Sequence, residues 1–123
     1  MSERVAILGA SDNPSRYAYR ALSALTEHGH DVVPINPQLT QVAGRDCVAR
    51  LADIDGDVDT ITVYLRKELA EPLADAMIAA RPRRVIFNPG SESPLLKMTL
   101  EAAGIAVQWE CTLVLLASGR FAA

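Results

Sequence analysis

The first apolar run of the chain is followed by residues that suit phosphate binding. The run from Val5 to Leu8 ends at a glycine, after which come short polar side chains and a cation. If a helix begins after this turn, its free amides and its dipole stabilise a phosphate group. Arg16 would add a charge-assisted hydrogen bond at the same place. The candidate residues are Gly9, Ala10, Ser11, Asn13, Pro14 and Arg16.

Gly9 is the residue of this turn at which a side chain would most hinder a ligand. A branched side chain there would block the approach of a phosphate to the backbone. We therefore expect Gly9→Val to weaken binding far more than folding. A full GxGxxG pattern is missing, so an ordinary strand-to-helix turn remains the alternative.

Three further apolar runs end in residues that could contact the same ligand. The second run has no Asp or Glu at its end, where proteins that bind NAD usually carry one for the ribose hydroxyls. The third run ends in two cations, which suit a phosphorylated ribose. The fourth is followed by a glycine that permits close approach to the backbone. These candidates are Asn36, Pro37, Tyr64, Leu65, Arg66, Lys67, Asn88, Pro89 and Gly90.

The histidines and cysteines do not form a pattern typical of metal binding or nucleophilic catalysis. His28 and His30 flank Gly29 and are predicted to be exposed turn residues. The two cysteines, Cys47 and Cys111, lie far apart without a zinc or disulfide spacing. Cys111 would lie near the ligand only if the last strand is parallel to the others. We predict neither a catalytic residue nor a metal site.

Continuous apolar runs of this kind are typical of strands covered on both faces, as in parallel sheets. Five strands are predicted, at 5–8, 31–35, 60–65, 84–88 and 105–109. Helices are predicted between them at 16–28, 69–80 and 94–104, with shorter ones at 48–54 and after Glu110. This alternation predicts a three-layer, doubly wound α/β fold with a mainly parallel, five-stranded Rossmann-like sheet. Ligands of such sheets bind outside the carboxyl ends of the strands.

Several local features set the expected helix ends. Asn13 can cap the first helix, with Pro14 at its first helical position. Pro72 is tolerated in the second helix only if it falls in the first turn. Ser93 and the proline after it start the third helix by the same cap-plus-proline device. The arginines at 81, 83 and 84 precede the fourth strand and are predicted to face solvent at the opposite edge of the sheet.

Length and charge restrict the class of protein. The chain has 123 residues, which predicts a single domain over 1–123. Its formal net charge of −3 gives no broad attraction for nucleic acid or anionic lipid, so the expected partner is a small-molecule nucleotide. The N-terminus resembles neither a signal peptide nor a transit helix, and no apolar stretch approaches a membrane span. A cytoplasmic location is expected, and a homodimer is compatible with the sequence.

The assembled pattern resembles the small CoA-binding-domain proteins, which are similar to the N-terminal CoA-binding domain of the succinyl-CoA ligase alpha subunit. The resemblance covers nearly the whole chain. It rests on the segments 5–11, 29–37, 51–54, 85–92 and 110–112, together with Pro14, Arg16 and Gly44.

The resemblance implies that coenzyme A lies across residues 9–16, 36–37, 64–67 and 88–90, with no catalytic residue in the chain. The predicted function is therefore non-catalytic binding of coenzyme A or an acyl-CoA. Two alternatives stay open: an NAD(P)-dependent oxidoreductase, and a subunit of an acyl-CoA ligase that needs a partner chain. Whether the protein is an enzyme is thus undecided at this point.

Overall fold

A computed structural model describes residues 2–122. It contains one parallel sheet of five strands in the order β2-β1-β5-β6-β7, and a separate two-stranded hairpin, β3-β4. The strands are β1 (Arg4–Leu8), β2 (Asp31–Ile35), β3 (Gln41–Val42), β4 (Arg45–Asp46), β5 (Thr60–Val63), β6 (Arg84–Phe87) and β7 (Ala106–Trp109). The five predicted strands are confirmed, with ends that differ by at most two residues.

Helices cover both faces of the sheet and give the predicted three-layer fold. They are α1 (Tyr17–Glu27), α2 (Lys67–Ala70), α3 (Ala74–Ala79), α4 (Pro94–Ala102) and α5 (Thr112–Ala117). Alternate residues of β1 point to opposite layers, because side chains along a strand alternate between its faces. Val5 and Ile7 pack with buried residues of α1 and α5, whereas Ala6 and Leu8 pack with those of α2, α3 and α4. The apolar runs thus contribute side chains to two hydrophobic cores, one on each face of the sheet.

The first helix begins later than predicted. Its cap residue is Arg16 and its first residue is Tyr17, so Pro14 is not in the helix. Asn13 does not cap it either, because the Asn13 side chain accepts a hydrogen bond from the Ser15 amide at 3.0 Å. The predicted cap and proline positions were wrong because Asn13 forms a local turn instead of capping the helix.

The helix predicted over 69–80 is broken at its proline. The chain forms α2, then a 3₁₀ turn over Glu71–Leu73, and then α3. Because α2 already begins at Lys67, Pro72 falls beyond the first turn, where its ring and missing amide interrupt the helix. The short helix predicted over 48–54 is only a 3₁₀ turn, Leu51–Asp53, and the β3-β4 hairpin before it was missed.

Two other helix predictions are confirmed. The Ser93 hydroxyl accepts a hydrogen bond from the Leu96 amide at 3.1 Å, with Pro94 as the first residue of α4. The tail after Glu110 forms α5. None of the helices in residues 2–122 has the length and apolar character that crossing a membrane requires.

The amino ends of the strands carry a buried charged cluster, contrary to the prediction of solvent-facing arginines. Arg84 has a side-chain exposure of 11% and its guanidinium lies 3.1 Å from the Glu3 carboxylate. It also donates to the Thr60 hydroxyl, the Gln108 side chain and the Phe121 carbonyl, at 2.9, 3.0 and 2.7 Å. We call Glu3, Thr60, Arg84, Gln108 and Phe121 the amino-edge network.

His30 adjoins this network and is buried, so the prediction that it is exposed was wrong. Its Nδ1 accepts a hydrogen bond from the Glu3 amide at 3.0 Å, and its ring meets the Phe121 ring edge-on, with centroids 5.1 Å apart. His28 is exposed, as predicted. Arg83 is largely exposed and pairs with Glu3 at 3.5 Å, while Arg81 is exposed without an ion pair among the described residues.

Candidate functional site

The strand order places the candidate residues at one edge of the sheet. The chain passes from β1 outward to β2 and then returns to β5 on the other side of β1. Ligands of open parallel sheets bind at such a reversal, outside the carboxyl ends of the strands. Gly9 follows β1, Tyr64 follows β5, and the Tyr64 amide donates to the Leu8 carbonyl at 2.8 Å. Three neighbouring cavities open along this edge.

The central cavity, here called the polar cavity, has a volume of about 440 Å³. It lies between the turn after β1, the first turn of α1 and the segment after β2. Its wall consists of Gly9, Ala10, Ser11, Asp12, Arg16, Tyr17, Ala18, Asn36, Gln38, Leu39, Tyr64 and Pro89. Asp12 is its only acidic residue, and because this carboxylate is exposed, solvent and salt screen its charge.

The backbone of the turn after β1 borders the polar cavity with free donors. The Gly9 and Ala10 amides donate to the Ile35 carbonyl at 3.2 and 3.0 Å, which ties the turn to β2. Within residues 2–122, no hydrogen bond uses the amides of Ser11 or Asp12. A bound anion could therefore accept hydrogen bonds that the fold leaves unused.

The start of α1 adds further donors and a positive charge. No side chain caps this eleven-residue helix. The amides of Tyr17 and Ala18, two residues of the cavity wall, find no acceptor in the described part of the chain. Arg16 is exposed and forms no ion pair there. The helix dipole, these amides and the guanidinium all favour an anion in the polar cavity.

Asn36, directly after β2, holds the turn after β1 in place. Its side-chain nitrogen donates to the Ala10 carbonyl at 2.8 Å, and its side-chain oxygen accepts from the Gln38 amide at 2.8 Å. One hydrogen of the Asn36 amide group is left for a ligand. The predicted contact residue therefore also positions the turn.

The second cavity, the Leu65 cavity, has a volume of about 440 Å³ and shares Gly9 and Asn36 with the polar cavity. Its wall is mainly apolar and consists of Leu8, Gly9, Ile35, Asn36, Pro37, Ala49, Arg50, Leu51, Ala52, Leu65, Leu69, Leu73 and Ala76. Arg50 is its only charged wall residue and pairs with Asp53 at 3.1 Å. Arg66 and Lys67 follow Leu65 directly, and both are exposed.

The third cavity, the Leu113 cavity, has a volume of about 400 Å³ and lies on the other side of the polar cavity. Tyr17, Tyr64 and Pro89 border both. The remaining wall residues are Asn88, Cys111, Leu113 and Val114. No wall residue of this cavity, as the structure describes it over residues 2–122, is charged.

Asn88 is buried beneath the Leu113 cavity, and its amide group is occupied by the fold. Its nitrogen donates to the Thr62 hydroxyl at 2.7 Å and to the Val63 carbonyl at 2.9 Å. Its oxygen accepts from the Thr112 amide at 2.8 Å. Since both amide hydrogens are used, Asn88 fixes the start of α5 against the ends of β5 and β6.

Tyr64 stands between the polar cavity and the Leu113 cavity with a buried hydroxyl. This hydroxyl has no hydrogen-bond partner among residues 2–122. Burial raises the pKa of Tyr64 well above its ordinary value, so the group stays protonated at neutral pH. The Thr62 and Thr112 hydroxyls oppose this rise in pKa in part, which places them close to the Tyr64 hydroxyl. Because the hydroxyl is buried, a ligand would reach it only if the Tyr64 side chain moved.

Similarity to known proteins gives the family and supports the fold. The CoA binding domain family matches the chain over residues 3–117. The chain belongs to the CoA binding domain family. A crystal structure of an uncharacterized protein superposes on this CoA binding domain with a TM-score of 0.93 at 34% identity, covering 98% of this chain and 99% of that one.

Two curated relatives match shorter segments of this CoA binding domain. The uncharacterized protein YneT of Bacillus subtilis is 31% identical over 77 residues, which are 63% of this chain and 57% of that protein. The ADP-forming acetate–CoA ligase of Methanocaldococcus jannaschii is 29% identical over 61 residues, which are 50% of this chain and 9% of the ligase. The matches thus span less than two thirds of either relative.

The site residues predicted for this CoA binding domain fall into two groups. Most of them line one of the three cavities: Gly9, Ala10, Ser11, Arg16, Asn36, Pro37, Tyr64, Leu65, Asn88 and Pro89. The others lie at the same edge without lining a cavity: Asn13, Pro14, Arg66, Lys67 and Gly90. Ligand contact by either group stays a prediction.

Sequence reasoning missed the apolar walls. Leu69 and Leu73 were assigned to one continuous helix over 69–80. Both line the Leu65 cavity, and the helix is broken at Pro72 between them. Leu113 and Val114 belong to the short helix predicted after Glu110, for which no ligand contact was predicted. Cys111 lies in the Leu113 cavity, and β7 is parallel to β6, as its predicted position required.

Gly9 has a structural role that the sequence did not reveal. Its φ is +92°, and a Cβ at this position would lie 2.9 Å from the Leu65 side chain and 3.2 Å from the Tyr64 backbone. A side chain here would therefore be strained and would require Leu65 and the turn to shift. Gly9→Val should therefore destabilise the fold as well as hinder a ligand, because residues 64–65 pack against the turn. Whether binding loses more than folding stays a prediction.

Proposed function

We propose that this CoA binding domain binds coenzyme A or an acyl-CoA at the carboxyl edge of its sheet, without catalysing a reaction itself. The observation that carries the proposal is the polar cavity, where free amides, an uncapped helix start and Arg16 surround one space. Such an arrangement suits the diphosphate of the ligand. The proposal keeps the cytoplasmic location and the small-molecule partner expected from the sequence.

The two flanking cavities support a ligand longer than a mononucleotide. Coenzyme A has a nucleoside at one end of its diphosphate and an uncharged arm with a thiol at the other. The polar cavity lies between the Leu65 cavity and the Leu113 cavity and shares wall residues with both. A ligand whose diphosphate occupies the polar cavity can therefore extend into an apolar space on each side.

The end of β2 argues against NAD. A dinucleotide enzyme holds the ribose hydroxyls with an Asp or Glu at this position, whereas this chain has Asn36, whose side chain is bonded to the Ala10 carbonyl and the Gln38 amide. Calorimetric titration with both ligands tests the difference. We expect coenzyme A to bind more tightly than NAD, and tighter binding of NAD would contradict the proposal.

The phosphates of the ligand can be assigned to separate cations. Arg16 lines the polar cavity, so Arg16→Gln should weaken coenzyme A and dephospho-coenzyme A alike, by about ten-fold for a lost charge-assisted bond. Arg66 lies beside the Leu65 cavity, so Arg66→Gln should weaken only the form with the 3′-phosphate. Arg81→Gln, at the other edge, is the matched control and should leave both affinities unchanged.

A subunit of an acyl-CoA ligase is the second candidate, favoured by the match to part of the acetate–CoA ligase. Such a subunit would depend on a partner chain for its chemistry. Affinity purification of the tagged chain from its own cells, followed by assay of acyl-CoA formation, distinguishes the two. The binding-module proposal expects coenzyme A in the preparation without stoichiometric partner or ligase activity. The same preparation gives the oligomeric state and so tests the homodimer.

A further inference from the structure

We propose that the Leu113 cavity holds the acyl-thioester end of the ligand and selects short, uncharged acyl groups over acyl groups that end in a carboxylate. This inference rests on the proposed function, because it takes the diphosphate in the polar cavity as its starting point. It adds the chemical class of the acyl group that this chain would take, argued from its own wall residues.

The charges around the two apolar cavities decide the direction of the ligand. The nucleoside end of coenzyme A carries a phosphate on its ribose, whereas the arm on the other side of the diphosphate is uncharged. Arg50 lines the Leu65 cavity, and Arg66 and Lys67 follow its wall residue Leu65 directly. The Leu113 cavity has no charged wall residue within residues 2–122. Charge complementarity therefore places the nucleoside in the Leu65 cavity and the arm in the Leu113 cavity.

The polar groups in the wall of the Leu113 cavity are neutral and turned to the fold. The Asn88 amide is used up by Thr62, Val63 and Thr112. The Tyr64 hydroxyl is buried and adds no exposed donor to the wall. The remaining wall residues, Cys111, Leu113 and Val114 among them, form an uncharged surface that suits an alkyl chain and a thioester, neither of which carries a charge.

A carboxylate at the end of the acyl group would find no counter-charge in this wall. The charged residues next to the wall along the chain lie outside it and have other roles. Arg16 precedes Tyr17 but lines the polar cavity, where it is assigned to the diphosphate. Arg20 stacks on the Tyr17 ring at 5.4 Å, and Glu110 is paired with Arg120 at 3.4 Å. Moving a carboxylate from water into an apolar cavity without a cation is unfavourable. An alkyl chain of the same length gains from burial against Leu113 and Val114.

The size of the cavity limits the acyl group. Its volume of about 400 Å³ must contain the end of the arm as well as the acyl chain. Short acyl chains therefore fit best, and a long fatty chain would extend into solvent.

Butyryl-CoA and succinyl-CoA provide the test. Both acyl groups have four carbons, but the butyryl group ends in a methyl group and the succinyl group ends in a carboxylate. Calorimetric titration should show butyryl-CoA binding at least about ten-fold more tightly, since an unpaired charge is being desolvated. Equal or tighter binding of succinyl-CoA would overturn the inference. Free coenzyme A is titrated in parallel: if neither it nor the two acyl-CoAs binds, the proposed function itself fails, whereas binding without acyl discrimination refutes only this inference.

A charge introduced into the wall makes the test specific to this cavity. Val114 is 53% exposed and lines the cavity, so Val114→Lys is tolerable for folding and should raise the affinity for succinyl-CoA relative to butyryl-CoA several-fold. Leu95 on α4 is 57% exposed and lines none of the three cavities, so Leu95→Lys is the matched control and should leave the ratio unchanged. An equal change of the ratio in both variants would place the acyl group elsewhere. The wild-type ratio decides the matter even if Val114→Lys fails to fold.

Discussion

The two edges of the sheet treat charge in opposite ways. At the amino edge, the Glu3 carboxylate and the Arg84 guanidinium are buried, paired and surrounded by hydrogen-bond partners. At the carboxyl edge, the Arg16 guanidinium has no ion pair and the Ser11 and Asp12 amides have no acceptor within residues 2–122. The comparison teaches that charge at the amino edge stabilises the fold, whereas charge at the carboxyl edge is available to a ligand.

The amino edge is closed by contacts that join distant parts of the chain. The Thr60 hydroxyl donates to Glu3 at 2.6 Å, and the Arg84 guanidinium lies 4.4 Å from the centre of the Phe121 ring. The network thereby connects the start of β1, the start of β5, the start of β6 and the C-terminal segment. Because these groups satisfy one another, a ligand would gain little there.

Removal of Arg84 should give the largest effect. Arg84→Leu leaves the buried Glu3 carboxylate without its main counter-ion, so we expect a loss of about 3 to 5 kcal/mol in the free energy of unfolding. Urea denaturation monitored by circular dichroism measures it. Arg83→Leu is the control, since the exposed Arg83 pair with Glu3 should contribute no more than about 1 kcal/mol. Equal losses in the two variants would contradict a network centred on Arg84.

The next largest effect is expected at Gly9, where the carboxyl edge is tightly packed. Gly9 and Gly90 both have positive φ, of +92° and +96°, so alanine at either position costs roughly 1 to 2 kcal/mol of backbone strain. Only at Gly9 would the new Cβ also press on Leu65, because nothing lies within 4 Å of the Cβ position at Gly90. We expect Gly9→Ala to lower the melting temperature clearly more than Gly90→Ala. A larger loss of melting temperature in Gly90→Ala would mean that the turn at Gly9 accommodates a Cβ despite its contact with Leu65.

The smallest effect is a pH dependence at the amino edge. Burial, opposed in part by Glu3, lowers the pKa of His30 below its ordinary value of 6.5. The unfolded chain therefore takes up a proton first as the pH falls below 6.5, and the free energy of unfolding decreases until the folded-state pKa is passed.

His30→Asn keeps an acceptor for the Glu3 amide but does not titrate. Its free energy of unfolding should change less between pH 7.5 and pH 5.5 than that of the wild type. Urea titrations at the two pH values measure the difference. An unchanged or larger pH dependence in the variant would exclude His30 as the source.

The sequence predicted the strands and their parallel arrangement better than the contacts at the amino edge, for a physical reason. Local signals, such as an apolar run that ends at Gly9 or a cap at Ser93, identify strands and helix starts. The edge at which strands end then follows from parallel topology. Which side chains meet across the other edge depends on contacts far apart in sequence: Glu3 and Arg84 are 81 positions apart. For that reason Arg84 and His30 were both predicted to be exposed.

The candidate site shows the same limit on a smaller scale. The turn after β1 was found from its residue types, but the wall of the Leu113 cavity comes from α5, which is held in place by Asn88 and Thr112. Periodicity alone does not distinguish a leucine that lines a cavity from one that fills the core. Asn13 can form a local turn or cap a helix, and the sequence alone does not show which. In the structure its side chain accepts a hydrogen bond from the Ser15 amide and forms the turn.

The difference between the two edges can be measured directly by following backbone amide resonances during a titration with coenzyme A. If the ligand binds in the polar cavity, the amide signals of Ser11, Asp12, Tyr17 and Ala18 should shift most as their free N–H groups gain acceptors. Signals of Thr60 and Arg84 at the amino edge should stay in place. Shifts that concentrate at the amino edge, or the absence of shifts at coenzyme A concentrations well above those of the protein, would contradict ligand binding at the carboxyl edge.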